Sequence, residues 1–146
     1  MWRIWGYIAA GDKDAFVVPG EKRFDQIRIE QFCREWGIAL YDAAEEVIRL
    51  RDNASDNYLQ VVRPTDLATL IRQLPACRAV VATGQKSATT LQHLLECEAP
   101  AVGGNVETEF CGRRLAVWRM PSSSRAYPRS VEWKASFYKR LADSLR

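Results

Sequence analysis

Three consecutive serines near the end of the chain are well suited to hold an anion. Ser122, Ser123 and Ser124 follow an apolar run, and Arg125 and Tyr127 come directly after them. A long amphipathic segment completes a pattern that predicts a strand, a short loop and a helix. Hydroxyl groups and unpaired backbone N–H groups ahead of a helix favour negative charge, which indicates a phosphate site. The alternative is an ordinary loop in which the serines cap the backbone locally.

Two further loops carry groups that could meet a phosphate or a base. Gly84 and Lys86 lie between a short apolar run and a helical pattern, which predicts a helix N-terminus with a lysine facing an anion. The alternative is a tight turn that needs glycine, with Lys86 in solvent. Asp42 follows the apolar run 38–41, so it could orient a polar edge of a ligand or cap a helix predicted over 43–50.

The remaining reactive side chains are predicted to be structural. His93 is the only histidine and lies among leucines in a helical pattern, which favours a structural imidazole. The cysteines, which are Cys33, Cys77, Cys97 and Cys111, are widely spaced. A zinc site would need paired ligands, so we expect reduced thiols and no zinc site.

The elements that position these loops alternate between helix and strand. The first half is predicted to contain a helical turn with Trp2 and Trp5 facing the core, a helix over 24–35, a strand over 38–41 and a helix opened by 65–66 and ended by Pro75. The second half is predicted to contain a strand over 79–82, a helix after Gly84, a hairpin or edge strand over 106–118 and a helix capped by Ser130. This alternation predicts an α/β layer fold with a mostly parallel sheet. Because ligands bind at the carboxyl ends of such strands, the three polar loops should converge on one crevice.

Length and charge set broad bounds. A chain of 146 residues without repeats predicts a single domain. No apolar run approaches the ~20 residues that cross a bilayer, and residues 1–6 do not resemble a secretory signal, so we expect a cytoplasmic protein. The net charge of +3 permits an anionic partner without requiring one. The mixed-charge run 49–56 is typical of a solvated loop, although Arg49 or Arg51 could face a phosphate.

Five segments together resemble the uracil-DNA glycosylase superfamily. They are GIALYD at 37–42, RDNASD at 51–56, PTDL at 64–67, VATGQKSA at 81–88 and MPSSSRA at 120–126. The last is most similar to the hypoxanthine-type branch, whose late motif is a Leu-Pro-Ser-Thr-Ser-Pro-Ala-Asn loop. The resemblance spans nearly the whole chain. It implies a three-layer α/β/α fold, excision of a damaged base flipped from double-stranded DNA, and no metal or organic cofactor.

The chain also departs from that family. The family's first strand, its Gly-Ser-Phe-Pro-type loop that handles the attacking water and its catalytic asparagine all precede the position that matches Met1. We therefore expect a chain truncated at its N-terminus, without the first strand, with unknown catalytic residues and no activity. In the late motif, Ser123, Ser124 and Arg125 replace Thr-Ser-Pro, and Tyr127 replaces the asparagine.

The resemblance assigns roles to the candidate residues. Ser122 to Ser124 would hold a DNA phosphate, Arg125 or Tyr127 would probe the double helix, and Asp42 would face the extruded base. An incomplete sheet would expose strand edges, so self-association is expected. Two other classes remain open, namely a non-catalytic DNA-binding remnant and an unrelated α/β domain that binds a nucleotide or a phosphorylated metabolite.

Overall fold

A computed structural model describes residues 1–51 and 58–145 of the chain. In chain order, its elements are α1 (Trp2–Ala10), α2 (Gln26–Trp36), β1 (Ala44–Arg49), β2 (Leu59–Pro64), α3 (Leu67–Gln73), β3 (Ala79–Thr83), α4 (Gln85–Leu95), β4 (Asn105–Phe110), β5 (Arg113–Met120) and α5 (Val131–Leu145). The protein is therefore mixed α/β. None of the helices in these described ranges combines the length and apolarity needed to cross a bilayer.

The chain divides into two compact units. The helical unit comprises Met1–Tyr41 and Ser122–Arg146 and contains α1, α2 and α5. The sheet unit comprises Asp42–Pro121 and contains the five strands with α3 and α4. Residues 52–56, which the sequence assigned to a solvated loop and to one of the family-like motifs, lie outside the described residues.

The helical unit has an aromatic core. The Trp5 ring is buried, and its centroid lies 5.8 Å from that of Phe32, 5.9 Å from that of Trp36 and 5.8 Å from that of Tyr138. Aromatic rings at such separations contribute pairwise attraction beyond the burial of their area. The prediction that the N-terminal tryptophans form a core-facing helix is confirmed for Trp5.

The sheet unit contains a three-stranded sheet in the order β3-β5-β4. β5 pairs in parallel with β3 and antiparallel with β4, so the predicted strand over 79–82 and the predicted hairpin over 106–118 are confirmed. The sheet contains one parallel and one antiparallel pair. Its core is formed by α3, α4 and the strands, through Leu67, Ile71, Ala82, Ala88, Leu91, Leu95, Leu115 and Val117.

Arg113 on β5 completes the C-terminal end of α3. Its guanidinium donates to the carbonyl oxygens of Leu74 at 2.8 Å and Pro75 at 2.9 Å, and also to that of Ile71. The last carbonyl groups of a helix have no partner within the helix. Arg113 therefore adds to two backbone hydrogen bonds at this turn, from the Leu74 N–H to the Ile71 carbonyl oxygen and from the Cys77 N–H to the Leu74 carbonyl oxygen.

The segment between α2 and α3 differs from its prediction. Residues 38–42 are not in a strand, and residues predicted to be helical over 43–50 form β1. β1 pairs antiparallel with β2 in a separate two-stranded sheet. Local pattern favoured a helix because this segment is rich in alanine, glutamate, leucine and arginine, but pairing with β2, the next strand along the chain, overrides that preference.

Candidate functional site

The N-terminus of α4 lies at the carboxyl edge of the three-stranded sheet. Gly84 precedes the helix with φ 102° and ψ 174°, a backbone conformation that favours glycine. Its N–H donates to the Met120 carbonyl oxygen at 3.0 Å, which ties the end of β3 to the end of β5. Among the described residues, no side chain caps this helix. The glycine turn predicted here is confirmed, and the first-turn N–H groups of α4 form a positive pole.

Arg119 adds a second positive group at this edge, which sequence reasoning missed. It lies on β5 opposite Ala82, and its guanidinium donates to the side-chain carbonyl of Gln85 in the first turn of α4. A longer contact of 3.4 Å joins it to the Pro100 carbonyl oxygen. Lys86 is exposed in the same turn. The one feature of the sequence that could have pointed to Arg119 is its position one residue before the end of β5.

The serine loop belongs to the helical unit and is ordered by its own side chains. The Ser122 hydroxyl accepts from the Ser124 N–H at 3.3 Å, and the Ser124 hydroxyl accepts from the Ala126 N–H at 3.2 Å. The Tyr127 N–H donates to the Ser124 carbonyl oxygen at 3.2 Å. These bonds are the local backbone capping that the sequence offered as the alternative to a phosphate site. A hydroxyl that accepts in this way still has its own hydrogen to donate, so both serines retain a donor for an anion.

Lys134 on α5 lies beneath this loop. Its ammonium donates to the carbonyl oxygens of Ser124 at 2.7 Å and Tyr127 at 3.2 Å, and it lies 5.5 Å from the centre of the Tyr127 ring. The side chain is buried, and that burial lowers the pKa of Lys134 below the ordinary lysine value. In a trans peptide the C=O and N–H groups point in opposite directions, so the Arg125 N–H is directed away from the ammonium.

Ser123 is half-buried beside α5. Its side chain hydrogen-bonds with the hydroxyl of Tyr138, which is almost completely buried. Burial raises the pKa of Tyr138 well above the ordinary tyrosine value, because it disfavours the phenolate. The exposed part of the loop consists of Ser124, Arg125 and Tyr127, and Ser122 is half-buried.

Asp42 does not lie where the sequence placed it. The strand expected over 38–41 is not formed, so Asp42 is not at the end of a strand and instead precedes β1. Its backbone carbonyl oxygen accepts from the Thr65 hydroxyl at 2.5 Å, and the residue is exposed. The Arg51 guanidinium lies 5.7 Å from the centre of the Tyr58 ring, where it stacks on an aromatic face.

The structure thus groups the candidates by unit. Gly84, Lys86 and the unpredicted Arg119 lie together in the sheet unit, and the serine loop with Lys134 lies in the helical unit. Within residues 1–51 and 58–145, no three His, Cys, Asp or Glu side chains are grouped so that they could hold a metal ion. No family model, curated protein or solved structure matches the chain.

Proposed function

We propose that this chain is a DNA-binding domain of the uracil-DNA glycosylase kind that recognises a damaged base, of the uracil or hypoxanthine type, flipped out of double-stranded DNA. The observation that carries the proposal is the α4 N-terminus, which has no side-chain cap and has Arg119 and Lys86 beside it. Such a terminus at the carboxyl edge of a sheet favours a phosphate group. The three-layer α/β/α arrangement with a mostly parallel sheet is part of the same proposal.

Two phosphate contacts follow from this reading. The first-turn N–H groups of α4, with Lys86 and Arg119, would hold one phosphate. The hydroxyl hydrogens of Ser122 and Ser124, with Arg125, would hold another. Contacts to phosphates supply most of the affinity in such complexes and offset the few kcal/mol that extruding a base costs.

Asp42 and Tyr127 are assigned to the base and the duplex. Uracil and hypoxanthine both present a ring N–H, and an exposed carboxylate such as that of Asp42 accepts from such a donor. The Tyr127 ring, with 38% of the residue exposed, is available to contact the double helix. The four free cysteines fit a reducing cytoplasmic compartment.

We propose recognition of the damaged base without hydrolysis of its glycosidic bond. These 146 residues contain no counterpart of the family-type water-handling loop or its asparagine. A second candidate function is binding of a nucleotide or phosphorylated metabolite, which the α4 N-terminus also favours because one phosphate would satisfy it.

The salt dependence of DNA binding separates these functions. We would measure the affinity for a duplex with one central uracil at several salt concentrations, for the parent, Lys86→Ala and Arg125→Ala. Each variant should flatten the log–log slope by about one unit, because each removes one phosphate contact. Lys22→Ala is the matched control, since Lys22 is exposed in another loop. Equal slopes with unchanged melting would overturn the phosphate contacts, and a mononucleotide that binds as tightly as the duplex would favour the metabolite.

A further inference from the structure

A row of aromatic rings runs from the serine loop along α5. The Tyr127 and Trp133 ring centroids are 6.3 Å apart, and those of Trp133 and Phe137 are 4.6 Å apart. Trp133 and Phe137 are four residues apart on the helix, so they lie on the same face one turn from each other. We call these three residues the aromatic row.

Two guanidinium groups cover the aromatic row. The Arg129 guanidinium lies 5.1 Å from the centre of the Trp133 ring, and the Arg140 guanidinium lies 4.9 Å from the centre of the Phe137 ring. Both arginines are exposed. A guanidinium that stacks on a ring keeps its N–H edge available, and that edge matches the geometry of a phosphate.

The aromatic row lies outside the core of the helical unit. The buried face of α5 is formed by Lys134, Ala135, Tyr138, Leu141 and Ala142. Trp133 and Phe137 are only half-buried, and Tyr127 is exposed. Part of the apolar area of these three rings therefore lies on the surface, although the core of the helical unit already holds four other aromatic rings.

The charge around the row selects an anionic partner. Residues 122–145 carry five lysine and arginine side chains and only two carboxylates, Glu132 and Asp143. Of the five cations, the exposed Arg129 and Arg140 and the buried Lys134 lie against the rings. Aromatic rings interleaved with cations are the chemistry that binds unpaired nucleotides, because every base has a face that can stack and every nucleotide has a phosphate.

We propose that the aromatic row binds single-stranded DNA, with unpaired bases on Trp133 and its neighbours and with phosphates on Arg129 and Arg140. This inference rests on the proposed function, since extruding a base leaves unpaired nucleotides beside the protein. A base takes the place of a guanidinium on the ring face, and the guanidinium moves to the adjoining phosphate. Stacking of this kind tolerates any sequence.

The test compares a fluorescein-labelled oligo-dT with a hairpin duplex of the same number of nucleotides, both bound to the full chain. Trp133→Leu should weaken oligo-dT binding about tenfold, because one stacking contact is lost. Trp133→Phe should retain most of the affinity, and the duplex affinity should hardly change in either variant. Tyr41→Leu is the matched control, because Tyr41 is an exposed aromatic residue of the same unit outside the row.

A second variant acts through charge. Arg140→Gln, at an exposed position, should flatten the log–log salt slope of oligo-dT binding by about 0.7, the value for one phosphate contact on a single strand, whereas Trp133→Leu should leave that slope unchanged. Arg140→Gln also keeps the test available if Trp133→Leu does not fold. Oligo-dT affinities that stay equal in Trp133→Leu and the parent, at equal melting temperature, would overturn the proposal, as would an Arg140→Gln slope equal to the parent slope.

The outcomes also separate this inference from the proposed function. Tighter binding of oligo-U than of oligo-dT would overturn the assignment to DNA in favour of RNA. Loss of oligo-dT binding in Trp133→Leu, together with uracil-duplex binding that Lys86→Ala and Arg125→Ala do not change, would support the row and reject the duplex phosphate contacts. Unchanged oligo-dT binding in Trp133→Leu, together with uracil-duplex binding that Lys86→Ala and Arg125→Ala do change, would reject the aromatic row alone.

Discussion

The ammonium group of Lys134 donates to the carbonyl oxygen of Ser124 at 2.7 Å, so a buried cation fastens the serine loop to α5. The same ammonium reaches the Tyr127 carbonyl oxygen at 3.2 Å. Two carbonyl oxygens of one loop thus share a single donor from the helix.

Lys134→Met should release the loop while keeping most of the packing of the side-chain stem. We expect a loss of about 1–3 kcal/mol in the free energy of unfolding, because buried carbonyl oxygens lose a charged donor. Hydrogen exchange of the Ala126 and Tyr127 amides should accelerate. Lys139→Met, at an exposed position on the same helix, is the control. Unchanged hydrogen exchange in Lys134→Met would show that the serine loop keeps its conformation without the Lys134 ammonium.

Tyr138 should make the protein sensitive to alkali. Burial raises its pKa, so the folded protein keeps the phenolic proton when the unfolded chain loses it. Its contribution to stability is present below the ordinary tyrosine pKa of about 10 and is lost as the pH rises beyond that value. Lys134 acts in the opposite sense, because burial lowers its pKa and its contribution grows as the pH rises toward the lysine range.

The comparison with Tyr138→Phe isolates the tyrosine. This variant should lose about 1 kcal/mol near neutral pH, because the bond with Ser123 is removed, but should not lose further stability between neutral pH and strong alkali. Urea unfolding over a series of pH values measures both effects. Parallel pH profiles for the parent and the variant would contradict the assignment.

Arg113 should be a major source of stability in the sheet unit. Arg113→Ala removes a charged donor from the carbonyl oxygens at the end of α3, although two of them keep a backbone N–H donor, so we expect a loss of about 1–2 kcal/mol in the free energy of unfolding. Arg114→Ala removes the same charge from the next, exposed residue and should cost little. Similar unfolding midpoints for the two variants in urea would show that the contacts of Arg113 contribute nothing.

The exposed hairpin of β1 and β2 should promote self-association. Val47 and Ile48 are 41% and 49% exposed, and alternate residues of a strand point to opposite faces. Within the described chain this sheet has only two strands, so both of its edges are open. Ile48→Lys should lower the average mass seen in sedimentation, whereas Gln60→Lys on the partner strand adds the same charge and keeps Ile48. An equal fall in average mass in both variants would assign the effect to the added charge alone.

This 146-residue chain should show no glycosylase turnover. The expectation follows from the proposed likeness to uracil-DNA glycosylases, because the sequence has no counterpart of that family's water-handling loop or of its catalytic asparagine. The assay measures abasic sites formed in duplexes that contain uracil or hypoxanthine, with an active uracil-DNA glycosylase as the positive control. Product that disappears in Asp42→Asn would instead assign the hydrolytic group to Asp42.

Helices with clear end signals were predictable from the sequence. Asp66 caps α3 by accepting from the Thr69 N–H at 3.0 Å, and Ser130 caps α5 by accepting from the Trp133 N–H at 3.1 Å. Such caps act between residues three apart, so the sequence displays them directly. The glycine turn at Gly84 was predictable for the same reason.

Pairing between strands was less predictable. β1 and β2 are consecutive strands, but neither segment alternates clearly between apolar and polar residues, so the sequence did not display their pairing. Arg119 gained its partner in α4 only through the parallel register of β3 and β5. Lys134 was detectable in part, because it shares the apolar face of α5 with Tyr138 and Leu141.

The order of strands in the three-stranded sheet also bears on how the chain folds. The turn at 111–112 joins β4 to β5, so their hairpin closes over a few residues and is expected to form early. β3 reaches β5 only after α4 has crossed over, which is a slower, non-local step. During that interval, the edge of β5 that later receives β3 stays open. A neighbouring chain can occupy the edge at this stage, so the yield on refolding should fall as protein concentration rises, even for variants whose native state is unchanged.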